Sequence, residues 1–249
     1  MQFASAERIL NASLLLNIPP IMIMGSNSIG KTEMLKTITR KFKHSEFTTS
    51  VEYGGLKQYI PLLQQHKTQT IVISDLQRII LRRSGVRDNT IGLISSLISE
   101  GTQFELAFSK DSIVDFKKRK KNYNLNFIIG CTPFHVSKLA ELGYHDLLVR
   151  FIYVPVERDV STIDFRKPFK PEVPIFTTYD KKKLQQLKDT DTTRTITQLT
   201  PRENTMYKQL QIGLKLLNVE LKDQVLFYRP PDMKLNRNAP QYTFAAQTL

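Results

Sequence analysis

The chain has 249 residues, 41% of them hydrophobic and 24% charged, enough apolar material to bury one large core and too much for a wholly disordered chain. Lysine and arginine outnumber aspartate and glutamate by 36 to 23, a net charge of +13 at pH 7, and a balance this basic favours a polyanionic partner, nucleic acid ahead of anionic lipid. The single cysteine, Cys131, excludes an intramolecular disulfide and a cysteine-rich zinc site and fits a reducing, cytoplasmic setting.

Apolar side chains at Phe3, Ile9, Leu10, Leu14 and Leu15 predict a helix ahead of the first strand, ended by Pro19 and Pro20. The apolar stretch 14–24 is broken by Asn17 and the two prolines, so it predicts neither a membrane span nor a signal peptide. Ile21 to Met24 reads as a strand, and Thr32 to Phe42 returns to helical spacing through Met34, Leu35 and Ile38. Further apolar runs at 47–53, 70–74, 126–131 and 151–156 alternate with helical or mixed segments, the pattern of an α/β fold with a parallel sheet. Asp88-Asn89-Thr90 opens a predicted helix over 91–99 that Gly101 ends, and 104–116 reads as a β-hairpin.

Prolines 168, 171 and 174 interrupt any regular element. The expected division is therefore a main domain over 1–160, a linker over 161–180, and a small, mostly helical or winged-helix-like appendage over 181–249. Within the appendage a short helix is predicted at 181–188. Thr200-Pro201-Arg202-Glu203 is a capping box with proline at the first helical position, opening a helix to about Asn218. A strand-like piece at 225–228 and an irregular tail complete the chain.

The chemistry starts at Gly25-Ser26-Asn27-Ser28-Ile29-Gly30-Lys31-Thr32, which fits G-x-x-x-x-G-K-[ST], the Walker A phosphate loop, and stands where a strand turns into a helix. Glycines let the backbone wrap closely, successive N–H groups and a helix N-terminus face the phosphates, Lys31 adds a point charge, and Thr32 offers a hydroxyl to Mg²⁺. The expected ligands are ATP and Mg²⁺. Ile71-Val72-Ile73-Ser74-Asp75 supplies an acid at the end of an apolar strand, suited to hold Mg²⁺ directly or through water.

With these two motifs, the span from Phe3 to Val156 resembles the AAA+ ATPases, whose P-loop core is a parallel-sheet α/β fold. Phe127-Ile128-Ile129-Gly130-Cys131-Thr132-Pro133 looks like a sensor-1 strand, and Asp146-Leu147-Leu148-Val149-Arg150-Phe151 is similar to the arginine-finger segment of minichromosome-maintenance-type motors. The resemblance implies that Thr132 orients the attacking water or senses the γ-phosphate. It implies that Arg150 reaches the nucleotide of a neighbouring subunit in a homo-oligomer, where a permanently charged fork stabilises developing charge. It further implies work on DNA in replication initiation, as a helicase or helicase loader, with a replicative helicase or other replication protein as partner. Asp-Leu-Gln at 75–77, a helix ending near Glu100-Gly101 and the Gly143 to Phe151 segment are similar to ATPases of phages, archaeal viruses and plasmids.

One departure from the family stands out. Asp75 is followed by Leu76 and Gln77 rather than by glutamate, and Gln77 orients water but cannot take its proton as a carboxylate does. Glu52, ending the predicted 47–52 strand, is the relocated base in a RecA-like alternative; a nucleotide-gated switch with little turnover is the other. A P-loop kinase is disfavoured, since no lid or substrate-binding arginine pattern accompanies the loop. Lys117-Lys118-Arg119-Lys120-Lys121 lies where AAA+ initiators and helicases carry a hairpin directed at DNA, and backbone phosphates need only such point charges. Arg82, Arg83 and Arg87 form a second basic cluster. His44, His66, His135 and His145 have no metal-ligand spacing and read as structural or surface residues.

Overall fold

Four consecutive apolar residues, too few for a helix and too apolar for a surface strand, form β1 (Ile21–Met24), and the same logic gives β3 (Thr70–Ile73), β4 (Asn126–Cys131) and β5 (Ile152–Pro155). The computed structural model describes residues 1–56, 68–99, 125–158, 161, 167–190, 196–221, 223–230 and 243–248. With β2 (Ser45–Thr48), β6 (Gln224–Arg229) and β7 (Thr243–Thr248), these strands build a seven-stranded sheet in the order β2-β3-β4-β1-β5-β6-β7. The pairs β2·β3, β3·β4, β4·β1 and β1·β5 are parallel, while β5·β6 and β6·β7 are antiparallel.

Helices cover both faces, which is why the central strands carry no polar alternation. Ile21, Ile23, Val72, Ile128, Ile152 and Val154 face a cluster built with α1 (Phe3–Leu16), α2 (Lys31–Thr39) and α8 (Pro201–Leu216). Met22, Met24, Ile71, Ile73, Phe127, Ile129 and Tyr153 face the opposite cluster, shared with α3 (Gln77–Ile80), α4 (Ser84–Ser99), α5 (Pro133–Glu141) and α6 (His145–Leu148). The exposed helix α7 (Lys181–Asp189) buries no residue fully.

The C-terminal region departs from the expected appendage. Its helix α8 lies on α1, so close that a Cβ on Gly213 would sit 3.0 Å from Ala12 Cβ and 3.2 Å from Ala12 O. Met206, Leu210 and Leu214 join the same cluster as Ile9 and Leu10. The tail expected to be irregular supplies β7, which pairs with β6 over 243–248. The physical reason is the apolar face of α1, which a sheet of five parallel strands leaves without cover until α8 fills it. The proline-containing segment forms no regular element at 167–180, yet it is tied down: Glu7 Oε2 accepts from Glu172 N at 2.8 Å and Val173 N at 3.1 Å, and Asn11 exchanges two hydrogen bonds with Phe176.

Two boundaries also differ. The strand expected over 47–53 is confined to β2, ending at Thr48, because Thr48 Oγ1 turns the chain by bonding Ser50 O. The helix expected from Ile91 starts seven residues earlier, at Ser84. The hairpin expected at 104–116 lies outside the described residues.

Candidate functional site

At the carboxyl ends of the parallel strands, the chain leaves β1 toward β2 on one side while β5 lies on the other, the arrangement that opens a ligand crevice in doubly wound sheets. The 25–32 loop fills this position. Its start is clamped on both sides: Gly25 N donates to Cys131 O at 3.1 Å, and Val156 N donates to Met24 O, at the end of β1, at 2.7 Å. A Cβ on Gly25 would lie 2.5 Å from Val156 O and 2.7 Å from Ile29 Cδ1, so only glycine lets the loop pass so near β5. Ser28 and Gly30 adopt φ of 64° and 93°, and Ile29 is buried as an anchor while Ser26, Asn27, Ser28 and Thr32 stay exposed. Residues 26–28 thus crown the N-terminus of α2.

Lys31 folds back over this loop, its Nζ donating to Gly25 O at 2.8 Å and to Ser26 O at 2.5 Å. Burial lowers its pKa from the ordinary lysine value, and the nearby Cys131 and Asp75 oppose that shift. Asp75 lies two residues beyond β3, and its Oδ1 accepts from Gln77 N at 2.9 Å, which fixes the turn into α3. Gly130 makes this turn possible. A Cβ there would lie 2.3 Å from Ser74 O, and Leu76 N bonds Gly130 O at 2.8 Å.

Thr132 follows β4 directly and caps α5: its Oγ1 accepts from His135 N, and His135 Nδ1 accepts from Thr132 N at 3.4 Å. This capping box turns His135 toward Asp75, Nδ1 to Oδ1 3.6 Å. Burial lowers the His135 pKa, with Asp75 opposing the shift and Lys31 adding to it. Because Nδ1 accepts from Thr132, the neutral ring carries its proton on Nε2. His135, expected as a structural or surface residue, is buried in a structural role; the signal for that role is Thr-Pro-x-His, a capping box in which histidine stands where glutamate or glutamine is usual. Cys131 lies beside Lys31, fully buried, and its thiol is pushed up to about 12 by burial, which makes it inert.

Lys31, Thr32, Asp75, Thr132 and His135 therefore share one end of the sheet. Glu52 does not join them by any hydrogen bond or ion pair among the described residues: it sits four residues beyond β2, in an ion pair with Arg82, both side chains half-exposed. Arg82 is thereby engaged within the chain, as is Arg87, which donates to Tyr144 Oη at 2.9 Å. Arg150 lies at the opposite end of the sheet, two residues before β5, where Ile152 N bonds Pro20 O at 3.1 Å. A four-residue strand separates it from the 25–32 loop, about 13 Å of rise, so it lies away from that loop of its own chain. The run Lys117 to Lys121 lies outside the described residues.

No family model, curated protein or solved structure matches this chain. Among the described residues no helix is long and apolar enough to cross a membrane.

Proposed function

We propose that the chain is an AAA+-like P-loop ATPase that binds ATP with Mg²⁺ at the 25–32 loop, hydrolyses it, and couples this to DNA remodelling as a homo-oligomer. The observation that carries the reading is the glycine-tight loop between β1 and α2, with Lys31 and Asp75 converging beside it across the end of β4. Lys31 gives up its two loop carbonyls for phosphate oxygens when nucleotide enters, which repays the partial desolvation of its ammonium. The exposed Thr32 hydroxyl and the Asp75 carboxylate are hard oxygen donors that would hold Mg²⁺. Bound there, Mg²⁺ neutralises charge on the transferring phosphoryl oxygens. Thr132 positions water from the end of β4.

The basic balance of the chain and the Lys117 to Lys121 run support DNA as the partner, and Arg150, at the far end of the sheet, suits a role toward a neighbouring copy. Steady-state ATP hydrolysis with and without single- and double-stranded DNA, at low and high protein concentration, tests the reading, with Lys31→Ala as the blank. DNA-stimulated turnover that rises more than linearly with protein and vanishes in the blank is the expected result. ATP binding that is indifferent to Lys31 refutes the site itself.

A second reading, a nucleotide-gated switch with little turnover, is favoured by one observation: the relocated base candidate Glu52 is already held by Arg82. Binding without hydrolysis at every DNA concentration would establish it. If instead Glu52→Gln abolishes turnover and Arg150→Ala leaves it intact, the RecA-like mechanism replaces both.

A further inference from the structure

Arg158 stands three residues beyond β5, and the backbone that leads to it is held from both sides: Val156 N donates to Met24 O at 2.7 Å and Glu157 N donates to Met1 O at 3.1 Å. Its side chain turns back to the 25–32 loop. A Cβ on Gly30 would lie 3.8 Å from Arg158 Nη1 and 3.9 Å from Phe3 Cζ, so the guanidinium and the Phe3 ring flank the glycine that precedes α2. The guanidinium lies over that ring, Cζ 4.9 Å from its centroid, and the ring itself is buried. A planar cation stacked on a fixed aromatic platform has already given up much of its side-chain freedom before it meets a ligand.

The other nitrogen of the fork faces the proline-containing segment. Nη2 lies 3.6 Å from Glu172 Oε1, with the two side chains 28% and 45% exposed, a separation beyond a well-formed hydrogen bond and an exposure at which an ion pair holds weakly. Phosphoryl oxygens offer the same guanidinium shorter, charge-assisted bonds. Glu172 is anchored independently, since its backbone N donates to the buried Glu7 Oε2 at 2.8 Å. Glu157 and Asp223 line an open cavity together with Arg158, so the net field does not by itself draw an anion there. The contact depends on the loop and the guanidinium acting on one polyphosphate.

On the ATP-binding reading of the loop, on which this rests, we propose that Arg158 is a further nucleotide-binding residue, donating to the polyphosphate beside Gly30, and that Glu172 competes with the phosphates for it. Nucleotide at the loop thereby weakens the tie between Arg158 and the 167–180 segment.

Calorimetric titration of the whole chain with ATP and with inorganic tripolyphosphate, at one Mg²⁺ concentration, is the test. Tripolyphosphate carries neither base nor sugar, so Arg158→Ala is expected to weaken both probes alike, by about tenfold or more, and Arg158→Lys to recover part of the loss. Glu172→Gln is expected to tighten both by about twofold to fivefold, a gain that a damaged fold does not produce, and to change nothing in the Arg158→Ala background. A Glu172→Gln protein with unchanged affinity, or a gain that persists without Arg158 and so reports bulk charge, overturns the competition. A loss confined to ATP overturns the phosphate contact. Binding that Lys31→Ala abolishes and Arg158→Ala leaves unchanged overturns the role of Arg158 alone, whereas no binding of either probe to wild type overturns the reading of the loop and this role with it.

Discussion

Glu7 is a carboxyl inside the core, and replacing it with glutamine separates its charge from its shape. It sits on α1 with no exposure, and its pKa is raised from 4.5 to about 7, burial outweighing the two backbone N–H groups of Glu172 and Val173 that favour the charged form. The Glu172 carboxylate adds to the rise and the Arg158 guanidinium opposes it. Because the folded state holds this proton more tightly than the unfolded chain, its contribution to stability is fully present below pH 4.5 and is lost as the pH rises through 7. At about 1.4 kcal/mol per tenfold change in proton affinity, the loss between pH 5 and pH 8 is about 2–3 kcal/mol. Glutamine keeps an oxygen for Glu172 N and Val173 N and cannot ionise. Thermal melts of wild type and Glu7→Gln at pH 5, 6, 7 and 8 are expected to show the variant gaining on wild type by that amount across the series, roughly 4–12 °C in Tm for a chain of this size. Groups common to both proteins cancel in the difference. Parallel stability curves would refute the assigned titration, and a wild type that gains on the variant as pH rises would reverse its sign.

Lys31→Ala is expected to abolish ATP binding measured by fluorescence-labelled nucleotide while leaving the unfolding free energy within about 1 kcal/mol of wild type, since the Lys31 ammonium bonds carbonyls of its own loop. Gly130→Ala drives a methyl group against Ser74 O and Leu35 Cδ1; an overpacking cost of about 1–3 kcal/mol is expected in denaturant melts, with weakened Mg²⁺-dependent ATP binding because Asp75 is displaced. Arg229→Met removes the cation that pairs with Glu203, a 4% exposed carboxylate which also caps α8 through Thr200 N at 2.7 Å. A loss of about 1–3 kcal/mol is expected, and an unchanged midpoint would show that the cap alone satisfies Glu203.

Where local chemistry decides the structure, the sequence alone was sufficient. The helix at 3–16, the apolar runs of β1, β3, β4 and β5, the capping box at Thr200 and the turn of strand into loop into helix at Lys31 all follow from spacing, glycine and proline placement, and cap residues, whose effects act within a few positions. The rest depends on neighbours distant in the chain. Sequence left the C-terminal region as an appendage because no local signal tells α8 that Gly213 will lie against Ala12, or β6 that its partner is β5. Nor does spacing reveal that the Thr132 capping box brings His135 to Asp75, that Arg82 pairs with Glu52, or that Arg150 and Arg202 line one cavity. Side-chain partners of that kind are set by the strand order β2-β3-β4-β1-β5-β6-β7, a long-range packing outcome in which covering both faces of the sheet outweighs any preference encoded within a single segment.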